Sequence, residues 1–177
     1  MHYYEALGLE PKLGLDLDDL KQRFYDRSRQ WHPDRFSRAS PEDRQRALDM
    51  TATLNDAFRT LRATVSRAEY FLGESGVPAS KEAPPDLLEE AFEFNMALEE
   101  LRSGDESARA GLAEAEARFL RLLGEIDASL EQMFTRYDDL RDRAVLGEIR
   151  GALNRRRYIS NLVRDAGKEL ADVHLAN

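Results

Sequence analysis

The chain has 177 residues, 42% of them hydrophobic and 34% charged, with a formal net charge of −8 and no cysteine. That length allows one domain or two small ones; the lack of cysteine excludes disulfides and thiolate sites, and the acidic balance argues against a nucleic-acid binder. His2, His32 and His174 are too scattered for a zinc site, no apolar run approaches a membrane span, and the N-terminus lacks a signal-peptide pattern, so a cytoplasmic protein without membrane contact or cofactor is expected.

Residues 3–9 read as a short helical turn, with Tyr4 and Leu7 inward and Gly8 closing it. Glu10-Pro11 opens a loop that lasts to residue 16. Asp18 and Asp19 are placed to cap the next helix and to favour its positive end. Leu20, Phe24 and Trp31, with small Ser28 between them, fit one buried face of period 3.6. The other side carries Lys21, Arg23, Arg27 and Arg29 against one acid, Asp26. A basic face of this kind is most often simply a solvated one.

The helical pattern stops at Trp31-His32-Pro33-Asp34-Arg35-Phe36. Pro33 lacks an N–H and pushes His32 out of the α region. His32 and Asp34 therefore sit in a short exposed bend held by a rigid ring, better suited to touching a partner than to filling a core. Taken alone, the tripeptide is also compatible with a proline-terminated turn that happens to carry His and Asp. Ser40-Pro41-Glu42-Asp43 then opens a second helix with a capping Ser, Pro at the first position and acids in the first turn. Its apolar face is Ala47, Thr51, Leu54, Phe58 and Leu61, expected to pack on Leu20, Phe24 and Trp31. A short helix over 65–73 turns Val65, Ala68, Phe71 and Leu72 inward, with Gly73 and Gly76 ending it. Residues 77–85 contain three prolines and read as a stiff linker.

His-Pro-Asp after an aromatic and before a basic residue, between two helices, resembles the signature of the J domain, the co-chaperone module that switches on DnaK-type ATP-driven chaperones. Tyr3-Tyr4-Glu5-Ala6-Leu7-Gly8-Leu9 is similar to the usual start of that module, and Asn55-Asp56-Ala57-Phe58 with Leu61 to its third helix. Arg67-Ala68-Glu69-Tyr70-Phe71-Leu72, followed by an acidic helical tail, narrows the resemblance to HscB-like proteins, the J-proteins of bacterial iron–sulfur cluster assembly. The likeness covers essentially the whole chain and is stronger over 1–76 than beyond. It implies an all-α fold: a J domain over 1–76, a linker over 77–85, and a client-binding three-helix bundle over 86–177. It also implies that His32, Pro33 and Asp34, with Lys21, Arg23 and Arg27, meet an acidic surface of an HscA/DnaK-type chaperone, where such charges speed encounter and set orientation. Arg27 stands where related J domains have an apolar residue; its stem is expected along the core edge with the guanidinium in water. Eukaryotic relatives add a cysteine-rich N-terminal segment, so a bacterial protein is expected.

Beyond the linker the pattern is helical throughout. Residues 1–76 hold 12 basic against 13 acidic side chains, and residues 77–177 hold 14 against 21, so the two parts face different partners. Asp86 with Glu89 has the spacing of a capping box. Leu87, Ala91, Phe94, Leu98 and Leu101 form a bundle seam over 87–102. Gly104 ends that helix and Asp105 can cap the next. Leu112, Ala115, Phe119, Leu122, Ile126, Leu130 and Met133 form a second seam, followed by a bend near Tyr137-Asp138-Asp139. A third runs through Leu146, Ile149, Leu153, Ile159, Val163, Ala166, Leu170 and Val173.

The helix over 87–102 has more apolar residues than its seam needs. Leu88, Phe92 and Met96 lie on a line beside it, flanked by Glu89, Glu93 and Glu100. The line is either an exposed partner ridge or part of a wider buried face. The family resemblance implies the former, as the surface that binds an IscU-type iron–sulfur scaffold. Leu88, Phe92, Glu93 and Glu100 match the expected types, and Tyr158 stands in for a last-helix aromatic. Glu89 stands where an apolar residue is expected, and Met96 where an acid is. Covering the three apolar side chains contributes roughly 1.5–3 kcal/mol each against an association cost of about 4–15 kcal/mol, so a weak, releasable complex is expected. The reading is an adaptor that brings a scaffold to its chaperone and triggers ATP hydrolysis there, and that does no chemistry itself. A J-protein with another client, an enzyme using the His-Asp pair, and a helical oligomerisation protein are the rival readings; no nucleophile motif, phosphate loop or metal constellation supports the enzyme.

Overall fold

The computed structural model describes residues 1–80 and 84–171; residues 81–83 of the expected linker, and Val173 of the last seam, lie outside the described residues. The described residues form seven α-helices and two short 3-10 turns, with no strand among them. The all-α class is the expected one. Two compact units result, and they do not follow chain order. One comprises Met1–Pro78 with Phe134–Leu146, the other Ala79–Met133 with Gly147–Asn177.

In the first unit, α1 (His2–Leu7) ends at Gly8, whose φ of 66° is the left-handed cap a glycine adopts without strain. Tyr4 is fully buried and donates its hydroxyl to the Lys12 carbonyl at 2.7 Å; burial pushes its pKa up. The cap of α2 (Leu17–Gln30) is Asp16, not Asp18 or Asp19. Its carboxylate accepts the N–H groups of both, at 2.9 and 3.2 Å. The helix starts early enough that Asp18 and Asp19 fall in its first turn, where they still favour the dipole. Phe24 stacks on Phe58 of α3 (Pro41–Leu61) with ring centroids 4.4 Å apart, and Leu20, Ala47, Leu54 and Leu61 are buried as read. Ser40 caps α3, accepting the Asp43 N–H at 3.1 Å. In α4 (Thr64–Glu74), Ala68, Phe71 and Leu72 are buried. Gly73, an expected stop, lies inside the helix. The stop comes at Gly76, whose φ is 75°, with the Val77 N–H donating to the Leu72 carbonyl at 2.8 Å.

Arg67, a charged residue of the 67–72 motif, is only 4% exposed. Its Nε donates to the Leu13 carbonyl and its Nη1 to the Leu61 carbonyl, both at 2.7 Å. The guanidinium thus ties the loop after α1 to the end of α3. Arg67→Met removes the donors and leaves two inward carbonyls unmatched. A loss of about 2–3 kcal/mol is expected in urea denaturation; an unchanged midpoint would mean that water serves those carbonyls equally well.

The bend expected at 137–139 is displaced. α6 (Ala108–Leu140) continues through Tyr137 and Asp138, and the break falls at Arg141, a non-glycine residue with φ 54°. The reason lies in contacts distant in sequence. The Asp138 carboxylate accepts the Leu13 N–H at 3.0 Å and the Gly14 N–H at 2.7 Å. The Tyr137 ring meets Phe71 edge-on at 5.4 Å. The Arg141 guanidinium lies over the Tyr137 ring and donates to the Pro11 carbonyl at 3.2 Å. These contacts hold 137 and 138 in helical register and move the turn to the next residues. Phe134, Val145 and Leu146, around the turn into α7 (Arg143–Ala171), are all buried.

In the second unit, a 3-10 turn over Pro85–Leu87 leads into α5 (Leu88–Arg102). The expected Asp86–Glu89 capping box does not form. Asp86 lies in the 3-10 turn and its carboxylate pairs with Arg155 of α7, a hydrogen bond that holds its carboxyl below the ordinary value. The seam of Leu87, Ala91, Phe94, Leu98 and Leu101 is buried throughout, against Leu112, Phe119, Ile159 and Ala166 of the two long helices. Phe94 meets Phe119 edge-on at 5.4 Å. Arg102 pairs with Glu169 at 2.8 Å, and Arg156 reaches Asp127 through two bonds at 2.5 and 3.0 Å. These tie α5 and α6 to α7. Gly104, at φ 96°, ends α5, and Asp105 accepts the Ser107 N–H at 3.0 Å.

Candidate functional site

The His32-Pro33-Asp34 bend is a single 3-10 turn over Pro33–Phe36. The Asp34 N–H donates to His32 Nδ1 at 3.3 Å and the Arg35 N–H to the His32 carbonyl at 2.9 Å. The turn is anchored from within: Trp31 and Phe36 stack with rings 5.8 Å apart, and the Thr51 hydroxyl, 2.8 Å from the Ala47 carbonyl, shares its proton with the Trp31 carbonyl at 3.1 Å. The two polar side chains are left outside this anchor, His32 at 59% and Asp34 at 90% exposure. Pro33 fixes the backbone between them. Two functional groups are thus displayed on a short fixed turn, and no cluster of His, Asp or Glu able to hold a metal ion is found among the described residues.

The basic residues assigned to this surface divide. Lys21 is exposed and unpaired among the described residues. Arg23 is committed internally: its Nε pairs with Asp19 at 2.8 Å and its Nη1 donates to the Gly8 carbonyl at 2.6 Å. Arg27 is half-buried, with its guanidinium beside Gly8, where an added Cβ would stand 3.0 Å from Nη2, and the guanidinium makes no hydrogen bond or ion pair among the described residues. Arg23 therefore fastens α2 to the end of α1 and keeps only its remaining N–H groups for a partner, whereas the Arg27 guanidinium is uncommitted. Arg29 pairs with Asp26 at 2.5 Å, which with Gln22 holds that carboxyl below its ordinary value.

Tyr25 was missed in the sequence. It is 51% exposed and, with Gln22, Ser28, Arg29, His32 and Arg35, lines an open groove of about 560 Å³. The available signal was its position in the last two turns of α2, just before the His32 turn. An aromatic beside exposed arginines is the composition of an interface core.

The second surface is on α5. Leu88 is 51% exposed, Phe92 66% and Met96 49%, so the wider buried face is excluded and the apolar line is a bare ridge. Glu89, Glu93 and Glu100 are exposed beside it. Tyr158 differs: it is half-buried and packs against the core of the second unit, so its ring supports the bundle as well as facing outward. No helix among the described residues is long and apolar enough to cross a membrane.

The DnaJ domain family matches residues 2–70. The co-chaperone protein HscB homolog of Vibrio vulnificus (strain YJ016) is 35% identical over 136 residues, covering 75% of this chain and 79% of that protein. The co-chaperone protein HscB of Proteus mirabilis (strain HI4320) is 33% identical over 143 residues, covering 79% and 77%. The chain belongs to the HscB co-chaperone family. The solved chaperone HscB from Vibrio cholerae superposes with a TM-score of 0.68 at 25% identity, over 98% of this chain and 99% of that one. The human co-chaperone HscB, at 23% identity, shares the fold with a TM-score of 0.70 over 97% and 83%. As an HscB-family protein with a J domain, the chain has an Hsp70-type chaperone as partner, and its relatives are co-chaperones rather than enzymes.

Proposed function

We propose that this co-chaperone binds an IscU-type iron–sulfur cluster scaffold through α5, presents it to an HscA/DnaK-type chaperone, and stimulates that chaperone's ATPase during cluster assembly and transfer. The observation that carries the reading is the coexistence of two exposed surfaces with opposite chemistry: the rigid His32-Pro33-Asp34 turn beside a basic, tyrosine-bearing helix, and the apolar ridge bordered by carboxylates. His32, Pro33 and Asp34 contact the chaperone, with Lys21, Tyr25 and the free N–H groups of Arg23 and Arg27 around them. They act by binding the hydrolysis-competent state better than the resting state. Leu88, Phe92 and Met96 anchor the scaffold, with Glu93 and Glu100 orienting it and Tyr158 at the margin.

The test is single-turnover ATP hydrolysis by the chaperone with and without this protein. His32→Gln is expected to return the rate to its unstimulated value. Because the side chain is largely in water, stability should change by less than about 0.5 kcal/mol. Full stimulation by the variant would sink the assignment of the turn. A J-protein with a different client would pass this test and fail the scaffold titration described in the Discussion.

A further inference from the structure

Glu93 belongs to two surfaces. It borders the α5 ridge, and it also lines a cleft of about 370 Å³ between α5 and α6. The cleft exists because small residues face each other there: Ala97 from α5, Gly111 and Ala115 from α6, with Phe94 beneath them. Its lips are charged. Glu90 and Arg118 face one another at 3.5 Å across it, a charge contact without a hydrogen bond, and the Glu90 Oε2 is buried with no hydrogen-bond partner among the described residues. Glu93, Glu114 and Arg121 have no ion pair among the described residues. Two carboxylates against one guanidinium leave the mouth net negative, over an apolar wall.

We infer that the client's footprint turns from the ridge over Glu93 into this α5–α6 cleft, which receives a lysine or arginine side chain of the client. The inference rests on the client reading above and adds α6 to it. A long cationic side chain has the matching form: an apolar stem to lie along Phe94 and the alanines, and a charged end to meet Glu93 and Glu114. Desolvated apolar contact on one flank of α5 and a charge contact on the other would set the client's orientation, which the ridge alone, a single line of three side chains, leaves free to rotate.

The experiment is calorimetric titration of the full chain with the iron–sulfur scaffold protein at low and high salt, using variants remote from the ridge. Glu114→Lys is expected to weaken binding about fivefold and to flatten the salt dependence. Gly111→Leu, at a position where an added Cβ meets nothing within 4 Å, should fill the cleft and weaken binding by a similar factor without disturbing the fold. Arg121→Glu should tighten binding. Leu88→Ala/Phe92→Ala is the control for the ridge. If that double variant loses binding while Glu114→Lys and Gly111→Leu bind as wild type, the client reading stands and the cleft inference fails. If Arg121→Glu weakens binding and Glu114→Lys tightens it, the occupant is anionic and the inference is overturned. If Gly111→Leu changes self-association in sedimentation but not scaffold binding, the cleft serves a second copy and the inference is overturned. If the wild type does not bind the scaffold, both readings fall.

Discussion

A fragment ending at Pro78 is expected to unfold well below the denaturant concentration that unfolds the same helices in the full chain. The compact unit that contains the J domain includes Phe134–Leu146, and a fragment lacks every contact that segment makes. Phe134, Val145 and Leu146 are buried, as are Leu13 and Phe71 in the part that remains. Removing the segment exposes apolar surface where each large side chain is worth about 1.5–3 kcal/mol. It also strips the Asp138 carboxylate from the Leu13 and Gly14 N–H groups and the Tyr137 ring from Phe71. The total loss should be about 3–6 kcal/mol, a large share of the stability of a small domain. Hydrogen exchange checks it: amides of α1 to α4 should exchange much faster in the fragment than in the full protein. In the full chain, Asp138→Ala should cost about 1–3 kcal/mol and raise exchange at Leu13 and Gly14 first. Equal protection in fragment and full chain would mean that residues 1–78 are stable alone and the added segment contributes nothing.

The double substitution Leu88→Ala/Phe92→Ala is expected to remove scaffold binding. Both side chains stand mostly in water in the free protein, so covering them in a complex yields a large part of their transfer free energy. A loss of about 3 kcal/mol corresponds to roughly a hundredfold in Kd. That suffices to abolish a weak complex at ordinary concentrations. The fold should be indifferent. Neither side chain belongs to the buried seam, and alanine suits an exposed helical position. Calorimetry with the scaffold of the same source measures the loss, and thermal unfolding confirms that the bundle is intact. Binding that survives would move the site elsewhere on the bundle. Absence of binding by the wild type would leave a J-domain co-chaperone with another client.

The two candidate surfaces were legible in the sequence to different depths. Pro33 alone made the turn and its exposure legible, because a residue without an N–H and with fixed φ acts through local backbone geometry. The α5 ridge was legible as a surplus: Leu88, Phe92 and Met96 exceed what one seam requires. Whether the surplus was bare or buried was not legible, since periodicity describes one helix and burial depends on the others. The partial loss of Arg23 to the chaperone surface was hidden for a similar reason. Its acceptor is the backbone carbonyl of Gly8, fifteen positions away, and no side-chain pattern marks a carbonyl.

What the sequence by itself determined is therefore whatever depends on neighbours within a turn or two. This covers the helices and their buried seams, the Ser40 cap, the glycine stops at Gly8 and Gly104, and the His32-Pro33-Asp34 display. The tertiary structure decided the rest. It buried Arg67 beneath two carbonyls, and it drew Asp86 from a cap to Arg155. It carried α6 past the expected bend and assigned Phe134–Leu146 to the first compact unit. Each of these rests on a polar group meeting a partner distant in sequence. The free energy of such a pair depends on distance and burial, which a linear pattern does not encode.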